Sequence, residues 1–208
     1  MRCCPNLRMD DSTVESIRER YHRVTRRINL NYWATDSDVA HSLYVGSYGR
    51  GTAIYASDVD IVVELPWSQF SRFDKYSGNG QSALLQDVKE SLKRTYVSSQ
   101  IGADGQVIDI DFHDGIKFEI VPSFKFDGGS YYYPDTNNGG SWRSMNPRAE
   151  IEAIRKRDSE LGGNVRRMAR MIRAWNEKMT VLMPGYLIDV TAYRFLSDYN
   201  YGDKSCEY

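Results

Sequence analysis

This 208-residue sequence has few cysteines, no long apolar run and no excess of either charge, and each of these features excludes some classes of protein. Its three cysteines, Cys3, Cys4 and Cys206, form neither a disulfide framework nor the spacing of a zinc site, which favours a reducing cytoplasm. No apolar stretch approaches the ~20 residues that cross a bilayer, and the amino terminus has no apolar core, so we expect neither a membrane span nor a signal peptide. The 27 lysines and arginines nearly cancel the 28 aspartates and glutamates, which argues against stable nucleic-acid binding.

The sequence nevertheless has enough apolar side chains for a packed core, because 41% of its residues are hydrophobic. Apolar residues recur at three- and four-residue steps over residues 12–30. This spacing predicts a long amphipathic helix, opened by a capping box of Ser12 and Glu15. Residues 82–97 predict a second helix by the same pattern. Residues 58–65 put carboxylates on one face and apolar side chains on the other, which predicts a half-buried strand.

Shorter elements lie between these three. We predict a short helix over residues 36–42 and a strand over residues 43–45. Residues 107–112 and 116–121 predict two strands, and the Asp-Gly pair between them predicts a tight hairpin turn.

Glycine, proline and asparagine concentrate in residues 127–147, which predicts a long loop or a junction between two lobes. Only helical patterns follow this segment. The order of a helix, mixed strands with a helix, and then helices alone predicts an α+β fold. We therefore predict a core over residues 1–130, which includes the long N-terminal helix, and a helical lobe over residues 131–208, with the active site in the cleft between them.

Residues 46–65 carry the chemistry. Gly46 and Ser47 begin a glycine-rich segment after a short strand, where backbone N–H groups and a hydroxyl can approach phosphate oxygens. Asp58 and Asp60 project from one face of the next strand, and two carboxylates at that spacing suit Mg²⁺ and substrate phosphates. A glycine-rich stretch alone is typical of a turn, and a lone Asp-x-Asp of an exposed strand. Their succession favours phosphoryl or nucleotidyl transfer with two metal ions.

These motifs resemble the polymerase β-like nucleotidyltransferase superfamily. Within it, the sequence is similar to the bacterial cyclic GMP-AMP synthase-like and oligoadenylate synthase-like second-messenger synthases, the CD-NTases, which carry a SMODS domain. The resemblance covers most of residues 10–200 and is most specific in its first two motifs. The motifs are GSYGRGT at 46–52, SDVDI at 57–61, FEIVPSF at 118–124, YPD at 133–135 and RAW at 173–175.

The resemblance implies a polymerase β-like core, which is a mixed sheet with flanking helices, and a metal-dependent reaction between nucleoside triphosphates. Asp58 and Asp60 would hold two Mg²⁺ ions, for which Mn²⁺ could substitute. A ribose hydroxyl of one nucleotide would attack the α-phosphorus of another, with release of pyrophosphate. The product would be a cyclic di- or trinucleotide or a short oligomer that activates a separate effector in anti-phage signalling. Relatives continue into further helices, so the resemblance also implies that the helical lobe is incomplete.

The resemblance also implies a third metal carboxylate, and the pattern of the family assigns this role to Glu119. Many relatives have aspartate there, and Asp109 and Asp111 are rivals. A two-residue hairpin turn would pair Asp111 with Phe118. Because cross-strand partners share a face, that register directs Asp109 and Asp111 away from Glu119, so the three cannot serve one site.

Several further residues are candidates for binding the nucleotide. Arg166, Arg170 and Arg173 form a stripe on one predicted helix, and we expect Arg173 to contact the triphosphate; the alternative is a solvated basic face. Arg50 and Thr52 are candidates for contacting phosphate and for shaping the glycine-rich loop. Tyrosines are candidates for stacking on a base, namely Tyr48, Tyr131, Tyr132 and Tyr133.

Two other functions stay open at this point. A nucleotidyltransferase could act on another acceptor, such as a tRNA end, a small molecule or a protein. The low net charge argues mildly against tRNA. Alternatively, the chain could be an inactive nucleotide-binding scaffold, which only the glutamate at position 119 favours, whereas the intact pair Asp58 and Asp60 argues against it.

Overall fold

The computed structural model describes residue 7, residues 9–55 and residues 58–198. In chain order, its helices and strands are α1 (Asp11–Ile28), a π-helical turn (Asn29–Trp33), β1 (Ser42–Tyr44), α2 (Gly46–Arg50), β2 (Asp58–Glu64), α3 (Trp67–Phe73), α4 (Gly80–Lys93), β3 (Gln100–Asp104), β4 (Val107–Asp111), β5 (Lys117–Lys125), β6 (Tyr131–Asp135), β7 (Ser141–Met145), α5 (Pro147–Glu160), α6 (Asn164–Lys178) and α7 (Gly185–Asp198).

One mixed sheet organises the fold. Its strands follow the order β1-β2-β5-β4-β3, and β6 and β7 extend it from β5. Strands β2 and β5 run parallel, whereas the other pairs are antiparallel. The predicted α+β class with a mixed sheet is therefore confirmed.

The core lies between one face of this sheet and the helices α1 and α4. Strand β2 contributes its fully buried alternate residues Val59, Ile61 and Val63, and the apolar stripe of α1 includes the fully buried Ile17 and Val24. Because side chains alternate along a strand, this packing turns Asp58 and Asp60 to the opposite face. The hydrophobic pattern thus sets the orientation of the carboxylates.

Two predictions for local structure in the first half of the chain are wrong. The N-cap of α1 is Asp10, whose side chain accepts a hydrogen bond from the backbone N–H of Thr13 at 2.9 Å, so Ser12 lies inside the helix. Residues 36–41 form no helix among the described residues; the chain makes a π-helical turn earlier and enters β1 at Ser42.

The predicted long loop over residues 127–147 is also wrong, because its centre is the hairpin of β6 and β7. Three consecutive tyrosines in β6 and Trp142 in β7 have high strand propensity, and Tyr131 pairs with Met145. The glycines lie at the turns instead, where Gly128, Gly129, Gly139 and Gly140 have positive φ. The sheet therefore continues to Met145 and the helices α5, α6 and α7 follow it; the division into domains stays a prediction.

Candidate active site

The parallel pairing of β2 and β5 aligns the predicted carboxylates. In this register Asp60 lies opposite Glu119, and Asp58 lies opposite Lys117. Asp58, Asp60 and Glu119 all line one cavity of about 540 Å³, which we call the central cavity. Gly46 and Ser47 line it as well. The structure thus brings the two sequence motifs and the third carboxylate together.

Gly46 fits tightly against Asp60. Its φ is +57°, a left-handed conformation that favours glycine, and a Cβ atom built there would overlap the Asp60 carboxylate. The backbone N–H of the preceding Val45 also donates to the carbonyl of Asp60 at 2.9 Å. The glycine therefore allows the backbone of the glycine-rich segment to approach the metal-binding candidate closely.

Burial and crowding of negative charge act on Asp60. Its pKa is raised to about 6, first by burial and then by the nearby carboxylates of Glu119 and Asp58, while the positive charge of Arg50 opposes this rise. Carboxylates crowded in this way, beside space for phosphate oxygens, are the donor set that Mg²⁺ prefers. Among the described residues, however, no three His, Cys, Asp or Glu side chains are already arranged to hold a metal.

The third carboxylate has a cation beside it. The ammonium of Lys117 lies 2.9 Å from Glu119 Oε1 and 3.1 Å from Asp109 Oδ1. Hydrogen bonds to Glu119 and then to Asp109 raise the pKa of Lys117, so it is positively charged. Glu119 is therefore engaged with Lys117 in this conformation, which is consistent with the lack of a ready three-carboxylate arrangement in the described residues.

The predicted hairpin register is wrong by one residue. The turn after β4 has three residues rather than two, because the N–H of Phe112 donates to the carbonyl of Ile116, and Gly115 takes a φ of +82°. Asp109 consequently pairs with Glu119 and shares its face. Among the described residues that line the central cavity, Glu119 is present but Asp109 and Asp111 are not, which favours Glu119 as the third ligand.

A buried carboxylate that sequence reasoning missed gathers three of the predicted nucleotide-binding residues. Asp189 on α7 is 1% exposed and accepts from Arg50 Nε at 2.8 Å, Thr52 Oγ1 at 3.0 Å and Arg173 Nη2 at 2.8 Å. Arg50 and Arg173 line the central cavity, whereas Thr52 is completely buried and shapes the loop from behind. The only sequence signal for Asp189 is an acid within an otherwise apolar stretch of a helix.

The arginine stripe of α6 is not a solvated face. Arg166 Nε donates to the carbonyl of Arg50 at 3.1 Å, and Arg170 Nη2 donates to the carbonyl of Gly51 at 2.6 Å. These two arginines hold the end of α2 through its backbone. Of the three, only Arg173 is among the described residues that line the cavity.

The tyrosines at the cavity are not the predicted ones. Tyr131 is fully buried and donates to Glu64 Oε1 at 2.7 Å, while Tyr48 packs against the ring of Tyr44. Among the described tyrosines, those that line the central cavity are Tyr55 and Tyr186, which are 57% and 58% exposed. Tyr55 stands in the loop before β2 and Tyr186 at the start of α7. Sequence patterns did not distinguish these two among 15 tyrosines.

Comparison with known proteins points to one family. The profile of the Second Messenger Oligonucleotide or Dinucleotide Synthetase domain, SMODS, matches residues 2–158, well over half of the chain. A probable cyclic nucleotide synthase of Bacillus cereus (strain VD146) is 26% identical over 113 residues, which cover 51% of this chain. The chain spans only 34% of the length of that relative. No helix within the described residues is long and apolar enough to cross a membrane.

Solved structures agree on the fold. The CdnE cyclic dinucleotide synthase of Elizabethkingia meningoseptica, solved with GTP and Apcpp, matches with a TM-score of 0.64 and 16% identity over 88% of this chain and 69% of that one. The CdnC protein of E. coli MS115-1, solved with ATP, matches with a TM-score of 0.67 and 15% identity over 92% of this chain and 61% of that one. These matches confirm the predicted polymerase β-like fold.

Proposed function

The chain belongs to the Second Messenger Oligonucleotide or Dinucleotide Synthetase family, and from this premise we propose that it is a nucleotidyltransferase that joins nucleoside triphosphates. The product is a cyclic di- or trinucleotide or a short oligonucleotide, made with release of pyrophosphate. In its biological setting the product activates a separate effector in bacterial anti-phage signalling.

One observation carries this proposal. Asp58, Asp60 and Glu119 share the central cavity with Gly46 and Ser47, and two arginine side chains stand on another wall of it. Acids that suit a divalent cation therefore lie beside cationic groups that suit a triphosphate. The cavity volume of about 540 Å³ is in the range of small-molecule sites.

Asp58, Asp60 and Glu119 are the residues that would hold Mg²⁺ or Mn²⁺, in two positions by analogy with two-metal sites. Bound there, the cation supplies electrostatic stabilisation of charge that develops on phosphate oxygens. Within the described residues, no side-chain hydrogen bond or ion pair occupies Asp58 or Asp60, whereas Lys117 lies 2.9 Å from Oε1 of Glu119 and competes with a cation for that oxygen. We therefore assign Lys117 the role of a counter-ion that holds Glu119 before the cation binds.

The remaining cavity residues bind and orient the nucleotides. Ser47 offers a hydroxyl donor to phosphate, and Arg50 and Arg173 face the negative charge of the triphosphate. The acceptor ribose hydroxyl gives its proton to solvent and its oxygen forms the new bond to the α-phosphorus. At the same time the bond between the α-phosphorus and the oxygen that bridges to the β-phosphate breaks, and pyrophosphate leaves with that oxygen. Tyr55 and Tyr186 have exposed rings at the cavity and offer faces on which bases stack.

The proposal is tested by the products that the protein forms. The full chain is incubated with labelled ATP, GTP, CTP and UTP plus Mg²⁺ or Mn²⁺, and the products are treated with phosphatase and separated by chromatography. Phosphatase-resistant oligonucleotides of two to several nucleotides are expected. Label transferred only to added RNA, small molecules or protein would replace this function with the alternative of another acceptor. Nucleotide binding without any product would identify an inactive scaffold.

A further inference from the structure

Asp189 stands behind the arginine wall of the central cavity. It is 1% exposed, and it is not among the described residues that line the cavity, although its neighbours Tyr186 and Ile188 are. Its two oxygens receive three hydrogen bonds, from Arg50, Thr52 and Arg173, with lengths of 2.8–3.0 Å. A buried charge is tolerated when it is paired and hydrogen-bonded in this way.

The network joins parts of the chain that are far apart in sequence. Arg50 ends α2 beside the carboxylates of β2, whereas Arg173 and Asp189 lie on α6 and α7. Arg50 also contacts Glu150 on α5 at 3.3 Å. Asp189 is therefore the group through which the helices α6 and α7 fix the orientation of a side chain next to the catalytic candidates.

Both arginines keep donors for a ligand. Arg173 uses Nη2 for Asp189 and for the carbonyl of Gly185, and Arg50 uses Nε and Nη1, which is only part of the N–H set of a guanidinium. Gly185 makes room for this arrangement, because a Cβ atom there would lie 2.8 Å from Arg173 Nη1. Some N–H groups of each guanidinium are therefore held by protein acceptors, while the same side chain lines the cavity.

We propose that Asp189 is a positioning residue that acts through Arg50 and Arg173 to preform a cationic wall for the triphosphate. This inference rests on the proposed function and deepens it. The change in triphosphate affinity that it predicts for loss of the Asp189 charge is opposite in sign to the change expected from Coulomb attraction alone. Removing a negative charge near the cavity would by Coulomb attraction alone strengthen the binding of an anion, whereas loss of preorganisation weakens it.

The test compares the binding of two ligands to Asp189→Asn and to the wild-type chain. A non-hydrolysable nucleoside triphosphate and the monophosphate of the same nucleoside are titrated in Mg²⁺ by calorimetry. We expect affinity for the triphosphate to fall about tenfold or more and affinity for the monophosphate to change less than about threefold. A purely structural role would leave the ratio of the two affinities unchanged.

Asp135→Asn is the matched control. Asp135 on β6 is also 1% exposed, pairs with Arg143 and accepts from the backbone N–H of Asn137 at 3.1 Å, but it is not among the described residues that line the cavity. This substitution is expected to lower the melting temperature and to leave the ratio of triphosphate to monophosphate affinity as in the wild-type chain.

Gly185→Ala provides a second variant that changes no charge. Gly185 lines the cavity at the first residue of α7, and its methyl group displaces the flexible end of Arg173. Because that end can move at little cost and no buried charge is removed, we expect this variant to fold even where Asp189→Asn does not. It should show the same selective loss for the triphosphate. Triphosphate binding at wild-type strength or tighter in both variants, or equal weakening of both ligands, overturns the proposal. The proposal is also overturned if the wild-type chain binds the triphosphate and the monophosphate with equal affinity. If both variants selectively lose affinity for the triphosphate but the wild-type chain forms no product, the role of Asp189 is supported and the synthase activity is refuted.

Discussion

At the scale of single residues, the site depends on the approach of Gly46 to Asp60. We predict that Gly46→Ala reduces product formation by about 100-fold, since the methyl group overlaps the Asp60 carboxylate and displaces it; a loss of this size corresponds to about 2.7 kcal/mol of transition-state stabilisation. Gly105→Ala is the control, because Gly105 has nearly the same φ, +59°, and nothing lies within 4 Å of its added Cβ. Equal activity of the two variants in a product assay would contradict the role of this contact.

The assignment of the third carboxylate is a second prediction at this scale. Glu119 and Asp109 pair across β5 and β4 and share Lys117, so they differ chiefly in which one lines the central cavity. We expect Glu119→Gln to reduce turnover about 100-fold and Asp109→Asn to reduce it less than tenfold, with activities measured at saturating nucleotide and Mg²⁺. The reverse order would transfer the metal role to Asp109.

Residue types and spacing predicted Asp58, Asp60, Gly46 and Ser47 because these residues lie close together in sequence and each has a chemical signature. Asp189 had no such signal. Its partners Arg50 and Thr52 lie 139 and 137 residues away, and only the tertiary structure brings them together. Likewise, an exposed tyrosine at a cavity cannot be told from a buried one by its residue type alone.

At the scale of elements, α1 depends on a cap that the capping-box pattern missed. Hydrogen bonds from Ser12 and Thr13 lower the pKa of Asp10, so its contribution to stability is full above the ordinary carboxyl pKa of about 4 and is lost as pH falls below it. We predict that Asp10→Ala lowers the midpoint of urea unfolding at pH 7. The difference in midpoint between this variant and the wild-type chain should become smaller below about pH 4. Asp11→Ala, one residue into the helix, should have a smaller effect. Equal midpoints for the two variants would contradict the assignment of the cap.

Elements with a strong period were predicted, including the strands β4 and β5, whereas the register and the hairpin that depend on turn geometry were not. The apolar stripe of α1 and the alternation of β2 fixed both elements, because burial acts on many side chains at once. The register of β4 against β5 depended on one residue of turn length, and a one-residue slip changes the face of every side chain. The hairpin of β6 and β7 was missed because the two glycines before β6 and the two in the turn between the strands dominated the composition of the segment.

At the scale of the whole molecule, the near-zero net charge conceals a separation of opposite charges around one cavity. The sheet contributes Asp58, Asp60 and Glu119, and α6 contributes Arg173. Each set is positioned by a different part of the fold: the carboxylates by strand register and the arginine by α7 through Asp189. This separation is what metal-assisted chemistry on a triphosphate requires, since cations and phosphates must be held side by side.

The role of Asp58 and Asp60 is decided by product formation in a variant that carries both Asp58→Asn and Asp60→Asn. Mass spectrometry of reactions with all four nucleoside triphosphates and Mg²⁺ should show oligonucleotide products and pyrophosphate for the wild-type chain, and neither for the variant. Asp111→Asn, an exposed carboxylate on β4 outside the described cavity lining, should retain activity. A folded double variant that forms product at the wild-type rate would show that these two carboxylates do not carry the chemistry.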